Sequence, residues 1–108
     1  MKVGSDIDGV LTTGFRPVET DYVIISGRMF HEWKATVELL GVDRPIYLRP
    51  SGGDGNVYAA GQWKGMMIGM LGLEKFYEDN DIQISIIRGM CPNCKVVRIV
   101  NGEIDESF

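Results

Sequence analysis

The sequence contains little of what several large classes of protein require. It has two cysteines and one histidine in 108 residues, too few for a disulfide-stapled secreted domain or for a complete zinc site made by this chain alone. No apolar run approaches the roughly 18 to 20 residues that a membrane-spanning helix needs. No basic segment followed by an apolar core opens the chain, as a signal peptide would. We therefore expect a cytoplasmic protein with no membrane partner.

Positive charge is also scarce. Eleven Lys and Arg residues stand against fifteen Asp and Glu residues, so the formal net charge is -4. A field of this sign repels phosphate backbones, and nucleic acid is therefore not favoured as a partner by charge. The chain, with 44% hydrophobic residues, is large enough for one core but too short for two domains of ordinary size. We expect a single domain over residues 1–108.

Short apolar segments that end at turn residues predict five buried strands. These segments are residues 2–7, 22–25, 45–48, 75–77 and 96–100. Between 45–48 and the next helical pattern, proline and three glycines cluster in residues 49–56, which predicts a loop inside the domain.

Residues with helical spacing lie between the predicted strands. The first helical segment ends at Gly41, which suits a C-cap, and its apolar residues are Phe30, Trp33, Val37 and Leu40. The second is marked by a stripe interpreted as core packing, formed by Trp63, Met66, Met67, Met70 and Leu71. Residues 82–87 fit both periodicities, and we favour a helix there. Alternating strands and helices predict an α/β fold with a parallel sheet, whose ligands bind at the carboxyl ends of the strands.

Polar side chains follow three of the predicted strands. Asp6 and Asp8 follow the first, Ser26 and Arg28 the second, and the Glu78-Asp79 pair the fourth. Carboxylates gathered at one sheet edge repel one another unless a cation neutralises them, and few hard oxygen ligands suit Mg²⁺. A carboxylate screened in this way can attack a phosphoryl group and form an aspartyl-phosphate.

Four motifs, in order, resemble those of haloacid dehalogenase-like phosphatases. Residues 6–12, Asp-Ile-Asp-Gly-Val-Leu-Thr, are similar to the first motif. In that motif the first aspartate, here Asp6, is the nucleophile, and the second, here Asp8, is the general acid and base. Ser26 and Gly27, in Ile-Ile-Ser-Gly-Arg, resemble the second motif, which holds the transferred phosphoryl group.

The third and fourth motifs complete the resemblance. Lys64, expected in the first turn of its helix, resembles the third-motif lysine that neutralises the phosphoaspartate, and the Glu78-Asp79 pair resembles the acidic fourth motif. The resemblance implies that Mg²⁺ is bound by Asp6, by the backbone carbonyl of Asp8 and by Asp79, with Glu78 as a helper. It also implies a three-layer α/β/α sandwich with a Rossmann-like parallel sheet and a central first strand.

The resemblance lacks one part. Family members carry a cap domain that closes over the substrate, but the two insertion points here, residues 13–21 and 49–62, are too short for a folded cap. A capless phosphatase must obtain its enclosure elsewhere, so we expect a phosphorylated substrate that is macromolecular, or a homo-oligomer that covers the site.

Three alternatives remain open at the level of sequence. The fold could serve as a binding or regulatory module with little turnover. The substrate could be a nucleic-acid end, if a local patch that includes Arg44, Arg49 and Lys64 overrides the net charge. Cys91 and Cys94, in Cys-Pro-Asn-Cys, could be a reduced pair at a turn or half of a zinc site.

Overall fold

Strands alternate with three α-helices along the described residues. The computed structural model describes residues 1–41, 44–53 and 55–108. The strands are β1 (Val3–Ser5), β2 (Tyr22–Met29), β3 (Ile46–Arg49), β4 (Lys75–Glu78), β5 (Lys95–Val100) and β6 (Glu103–Ile104). The helices are α1 (Trp33–Leu40), α2 (Val57–Leu71) and α3 (Asp81–Met90), with 3₁₀ turns at Leu11–Thr13 and Phe30–Glu32.

The strands form one sheet in the order β3-β2-β1-β4-β5-β6. Strands β1 to β5 are parallel, and β6 pairs with β5 in the antiparallel sense. The predicted α/β class and the five predicted strands are confirmed. Because β1 lies between β2 and β4, with Ser5 opposite both Ile24 and Tyr77, the carboxyl ends of these three strands meet at the centre of one sheet edge.

Two apolar clusters lie on opposite faces of the sheet, since neighbouring strand residues such as Ile24 and Ile25 belong to different clusters. Helices α2 and α3 cover one face, to which they contribute Met67, Ile68, Ile84 and Ile87. The other face is covered by the segment that follows β1 and by the end of α1, through Leu11, Phe15 and Leu40.

Helix α2 begins earlier than predicted. The side chain of Asn56 accepts a hydrogen bond from the backbone N–H of Ala59, which is an N-cap contact, and the helix starts at Val57. Lys64 therefore lies in the middle of α2, and its placement in the first turn was wrong. Strand β2 also continues beyond its predicted end, so Ser26 and Gly27 lie within the strand.

The buried faces of two helices also differ from the prediction. Phe30 and Trp33 are exposed and stack on each other with ring centroids 5.9 Å apart, because the chain leaves β2 through a 3₁₀ turn before α1 begins. Met66 and Met70, expected in the core, are also exposed. The longer α2 buries another face, which consists of Ala60, Gly61, Lys64, Gly65, Met67 and Ile68.

Two predictions about the helices are confirmed. Residues 82–87 are helical within α3, as favoured, and Gly41 ends α1 with φ +57°. Strand β6 was not predicted, although Asn101-Gly102, with φ values of +51° and +80°, is a strong hairpin signal.

Of the predicted loop 49–56, Asp54 lies outside the described residues. Within the described part of the chain, no helix is both long enough and apolar enough to cross a membrane.

Gly4 lies on the central strand under tightly packed side chains. A Cβ at this position would lie 2.6 Å from Leu73 Cδ1 and 3.0 Å from Phe76 Cδ1. Phe76 is also the neighbour of Gly4 on β4. The absence of a side chain at Gly4 therefore lets these two apolar side chains close over β1.

We expect Gly4→Ala to lower the free energy of unfolding by about 1–3 kcal/mol, because the added methyl overpacks a core that has no room for it. The matched control is Gly89→Ala, inside α3, where an added Cβ meets nothing within 4 Å and alanine favours the helix. Urea denaturation of both variants measures the difference. Equal stability of the two variants would contradict this packing.

Candidate active site

A cleft of about 470 Å³ opens at the carboxyl ends of β1, β2 and β4. All of the residues predicted to carry the chemistry lie in its wall. They are Asp6, Asp8, Ser26, Gly27, Lys64 and Asp79, together with the predicted helper Glu78. Because these residues come from three strands and from α2, the cleft is formed by the fold rather than by one loop.

The floor of the cleft contains a buried ammonium between two carboxylates. Lys64 Nζ lies 3.1 Å from Asp6 Oδ2 and 2.7 Å from Glu78 Oε2. The backbone N–H of Asp6 donates to the carbonyl of Tyr77 at 3.0 Å, which holds the end of β1 against β4. Lys64 therefore bridges the ends of the two central strands from its position in α2.

Burial and charge act against each other in this cluster. Burial disfavours the charged ammonium, but attraction to Asp6 and Glu78 outweighs it and raises the pKa of Lys64. Burial, reinforced by repulsion from Asp6, raises the pKa of Glu78 well above its ordinary value, although Lys64 opposes this. Two carboxylates thus share the one Lys64 ammonium on the cleft floor.

Asp6, Glu78 and Asp79 form a group able to hold a metal ion, with one carboxylate oxygen from each within 4.8 Å of the others. Both oxygens of Glu78 already accept hydrogen bonds. Oε2 accepts from Lys64, and Oε1 accepts from the backbone N–H groups of Asp79 and Asn80 at 3.1 and 3.3 Å. Asp79 is half-buried, and burial raises its pKa. Asp6 and Asp79 are therefore the better metal ligands, and Glu78 holds Lys64.

Gly9 makes room for Asp79. Its φ is +79°, a conformation that favours glycine, and a Cβ there would lie 2.0 Å from Asp79 Oδ2. The glycine of the Asp-x-Asp-Gly turn thus lets the carboxylate that follows β4 approach the loop that follows β1. Two carboxylates from different strands come together for this reason.

The Asp8 carboxylate is paired with Arg28, which lies on β2. Arg28 donates to the carboxylate twice, from Nε to Oδ2 at 2.8 Å and from a terminal nitrogen to Oδ1 at 2.7 Å. This hydrogen-bonded pair with Arg28 lowers the pKa of Asp8, although burial opposes the shift. Asp8 was predicted to bind the metal only through its backbone carbonyl, and its carboxylate is occupied by Arg28.

Ser26 and Gly27 form the wall beside α2. The Ser26 hydroxyl accepts from the backbone N–H of Arg28 at 3.1 Å and has its own hydrogen left to donate. Gly27 lets the helix approach, since a Cβ there would lie 3.0 Å from that of Ala60. The residues at the start of α2, including Val57, line the cleft as well, and a helix N-terminus favours a negatively charged group.

The sequence indicated Arg28 only as a polar residue near the second strand, and it missed Gln83 altogether. Arg28 was identifiable because it follows Ser26-Gly27 on a strand that ends at the site. Gln83 is 8% exposed and lines the cleft. Its only sequence signal is its position three residues after Asn80, whose side chain accepts its N–H at 3.0 Å.

Cys91 and Cys94 lie at the end of α3 and before β5, and both are free thiols. Cys91 Sγ donates to the carbonyl of Gly65 at 3.1 Å. Burial raises the pKa of both thiols, that of Cys94 to about 11. Among the described residues neither cysteine belongs to a group of three or more metal-binding side chains, so the zinc alternative gains no support.

If the acidic group binds Mg²⁺, the ion raises the melting temperature, because a ligand at a hundredfold excess over its dissociation constant stabilises the folded state by about 2.7 kcal/mol. We expect Asp79→Asn to remove most of this response. The raised pKa of Asp79 means that its ionised form is disfavoured in the fold, so Asp79→Asn should not lower the melting temperature of the metal-free protein at neutral pH.

Thermal unfolding with and without Mg²⁺ measures both effects. Asp81→Asn is the matched control, since Asp81 is an exposed carboxylate two residues away whose side chain pairs with Arg98. It should keep the full response to Mg²⁺. A response lost equally in both variants would place the ion elsewhere.

Comparison with protein-family models, with curated proteins and with solved structures finds no match to this chain. The motif resemblance therefore stays a prediction, and the chemistry of the cleft has to be argued from its own residues.

Proposed function

We propose that this protein is a magnesium-dependent phosphatase that acts through an aspartyl-phosphate on Asp6. The observation that carries the proposal is the position of the Asp6 carboxylate. It is buried on the cleft floor, 3.1 Å from the Lys64 ammonium and within the group of oxygens that includes Asp79. A carboxylate kept beside a fixed cation and a cation-binding partner is suited to attack a phosphoryl group.

The fold that we propose is a capless, haloacid dehalogenase-like, three-layer α/β/α sandwich. Its support is the central position of β1, the packing of α2 and α3 on one face and the contact of Leu40 from α1 with the other. The segment between β3 and α2 is shorter than the sequence indicated, because α2 already starts at Val57. Neither this segment nor residues 6–21, with one 3₁₀ turn, could form a cap.

The residues of the cleft fit Mg²⁺. Asp6 and Asp79, with the backbone carbonyl of Asp8, would hold the ion. Burial, reinforced by repulsion from Asp6, raises the pKa values of Glu78 and Asp79, and a divalent cation would relieve that repulsion. When bound, Mg²⁺ would neutralise charge on the carboxylates and on the phosphoryl oxygens.

In the proposed reaction, a carboxylate oxygen of Asp6 forms a bond to phosphorus while the bond from phosphorus to the leaving-group oxygen breaks. Asp8 gives the leaving oxygen its proton. Asp8 then accepts a proton from water, whose oxygen attacks phosphorus and releases Asp6 and inorganic phosphate. Lys64 and the Ser26 hydroxyl stabilise the negative charge on the transferred group, together with the N-terminus of α2.

The Arg28 contact prepares Asp8 for the second half of this reaction. Its two hydrogen bonds keep Asp8 ionised, which is the form that accepts a proton from water. For the first half Asp8 must carry a proton, so its contact with Arg28 has to open when substrate binds. Arg28 lines the cleft and is then free to pair with the phosphate.

We expect Asp6→Asn to abolish hydrolysis of p-nitrophenyl phosphate in the presence of Mg²⁺, since the amide is a poor nucleophile and a weaker metal ligand. The exposed Asp21→Asn is the matched control and should retain wild-type turnover. Mass spectrometry of acid-quenched wild type should show one added phosphoryl group, absent from Asp6→Asn. Wild type that binds phosphate without any turnover would identify a binding module instead.

The missing cap predicts a preference for large substrates. With no part of the described chain to enclose a small ester, most contacts to the leaving group must come from a macromolecule or from a second subunit. We expect kcat/KM to be higher for a phosphopeptide or a 3′- or 5′-phosphorylated oligonucleotide than for p-nitrophenyl phosphate. The mass in solution should be measured alongside. A monomer that is selective for one small metabolite would contradict this prediction.

A further inference from the structure

We propose that Gln83 is a positioning residue that keeps the Lys64 ammonium in place while Asp6 is phosphorylated. This inference rests on the proposed function. A lysine ammonium has three N–H donors, and three acceptors surround Lys64 Nζ: Asp6, Glu78 and the side-chain carbonyl of Gln83. The side chain of Lys64 is 3% exposed, so water contributes little to its hydrogen bonding.

The three acceptors behave differently during the reaction. Asp6 loses its carboxylate charge when one oxygen forms a bond to phosphorus, and its attraction for the ammonium falls. Glu78 and Gln83 are not altered by the reaction. Of these, Glu78 is fixed by the backbone N–H groups of Asp79 and Asn80. Gln83 supplies the second acceptor that the reaction leaves unchanged. Two fixed acceptors determine the orientation of the ammonium, whereas one acceptor alone would let it rotate.

Gly61 brings Gln83 within reach of Lys64. It lies one turn before Lys64 on α2, and a Cβ there would lie 3.3 Å from both Cα and Cγ of Gln83 and 3.0 Å from Ile86 Cδ1. The first turn of α3 therefore packs directly against the backbone of α2. Asn80 fixes the start of α3 by accepting the Gln83 N–H. The Gln83 side chain, buried where α2 and α3 meet, thus offers its carbonyl oxygen as an acceptor to the Lys64 ammonium.

The substitution Gln83→Met tests this role, because methionine has a similar length and lacks the acceptor. Using p-nitrophenyl phosphate and Mg²⁺, we expect kcat to fall about tenfold to a hundredfold, as misplacement of a charge-stabilising group does, with KM changed by less than about threefold. Gln62→Met is the control, since Gln62 is an exposed glutamine on α2. It should have wild-type kinetics.

A second readout separates positioning from packing. A buried and hydrogen-bonded ammonium exchanges its protons slowly, so the Lys64 Nζ–H signal should be visible in the ¹⁵N NMR spectrum of wild type, assigned by its loss in Lys64→Met. In Gln83→Met the signal should broaden or shift. If Gln83 only packs, Gln83→Met leaves both kcat and this signal unchanged and alters the melting temperature alone, which overturns the inference.

Variants on α2 provide an independent test if Gln83→Met does not fold. Gly61→Ala should displace Gln83 by a few tenths of an ångström and lower kcat in the same way. Gly69→Ala, where the nearest atom to an added Cβ is Cys91 Sγ at 3.8 Å, should not. Equal kcat for the two alanine variants overturns the inference. A wild type with no Asp6-dependent turnover overturns the proposed function itself, and unchanged Gln83 variants of an active wild type overturn the inference alone.

Discussion

The buried ammonium of Lys64 is the interaction on which the site depends. It needs acceptors on every side, because a charge removed from water without partners is strongly unfavourable. The acceptors come from the end of β1, the end of β4 and the first turn of α3. To satisfy one cation, α2 must therefore lie over the centre of the sheet and α3 must pack against α2. A buried ion pair is weak evidence of stability, but here it restricts how two helices and two strands can be combined.

The charges of the cleft divide into two parts. On one side Asp8 is balanced by Arg28 through two short hydrogen bonds. On the other side Asp6 and Glu78 share Lys64, and burial, reinforced by repulsion from Asp6, raises the pKa values of Glu78 and Asp79. A cation bound by Asp6 and Asp79, as in the proposed magnesium site, would relieve the repulsion on this side of the cleft. In the proposed reaction the Asp8 side chain does not bind the metal and transfers protons instead, so the two neighbouring aspartates have different roles.

The sequence predicted the strands and the polar groups at their ends because both depend on local patterns. Apolar runs stop where the chain turns, and parallel strands bring their carboxyl ends to one edge, so Asp6, Ser26 and Asp79 could be placed together without coordinates. The start of α2 was missed because Asn56 follows a glycine-rich stretch and Gly61 weighs against a helix. The simple rule that apolar residues lie inside fails on α2, where Met66 and Met70 are exposed and Lys64 is buried. No local signal indicated that Gln83 is buried, since its burial depends on a contact between two helices.

Contacts of this kind are difficult to predict from sequence because several of them depend on glycines. Gly9 admits Asp79, Gly27 admits Ala60 and Gly61 admits Gln83, and in each case the missing Cβ lets a residue distant in the chain approach the backbone. A pattern reveals that a glycine is present but does not reveal which residue occupies the space beside it. Two of these close approaches carry the proposed function. Because Gly9 allows Asp79 to come near Asp6, the two carboxylates form a group able to hold a cation. Because Gly61 allows Gln83 to reach Lys64, the ammonium has an acceptor that the proposed phosphorylation of Asp6 would leave unchanged.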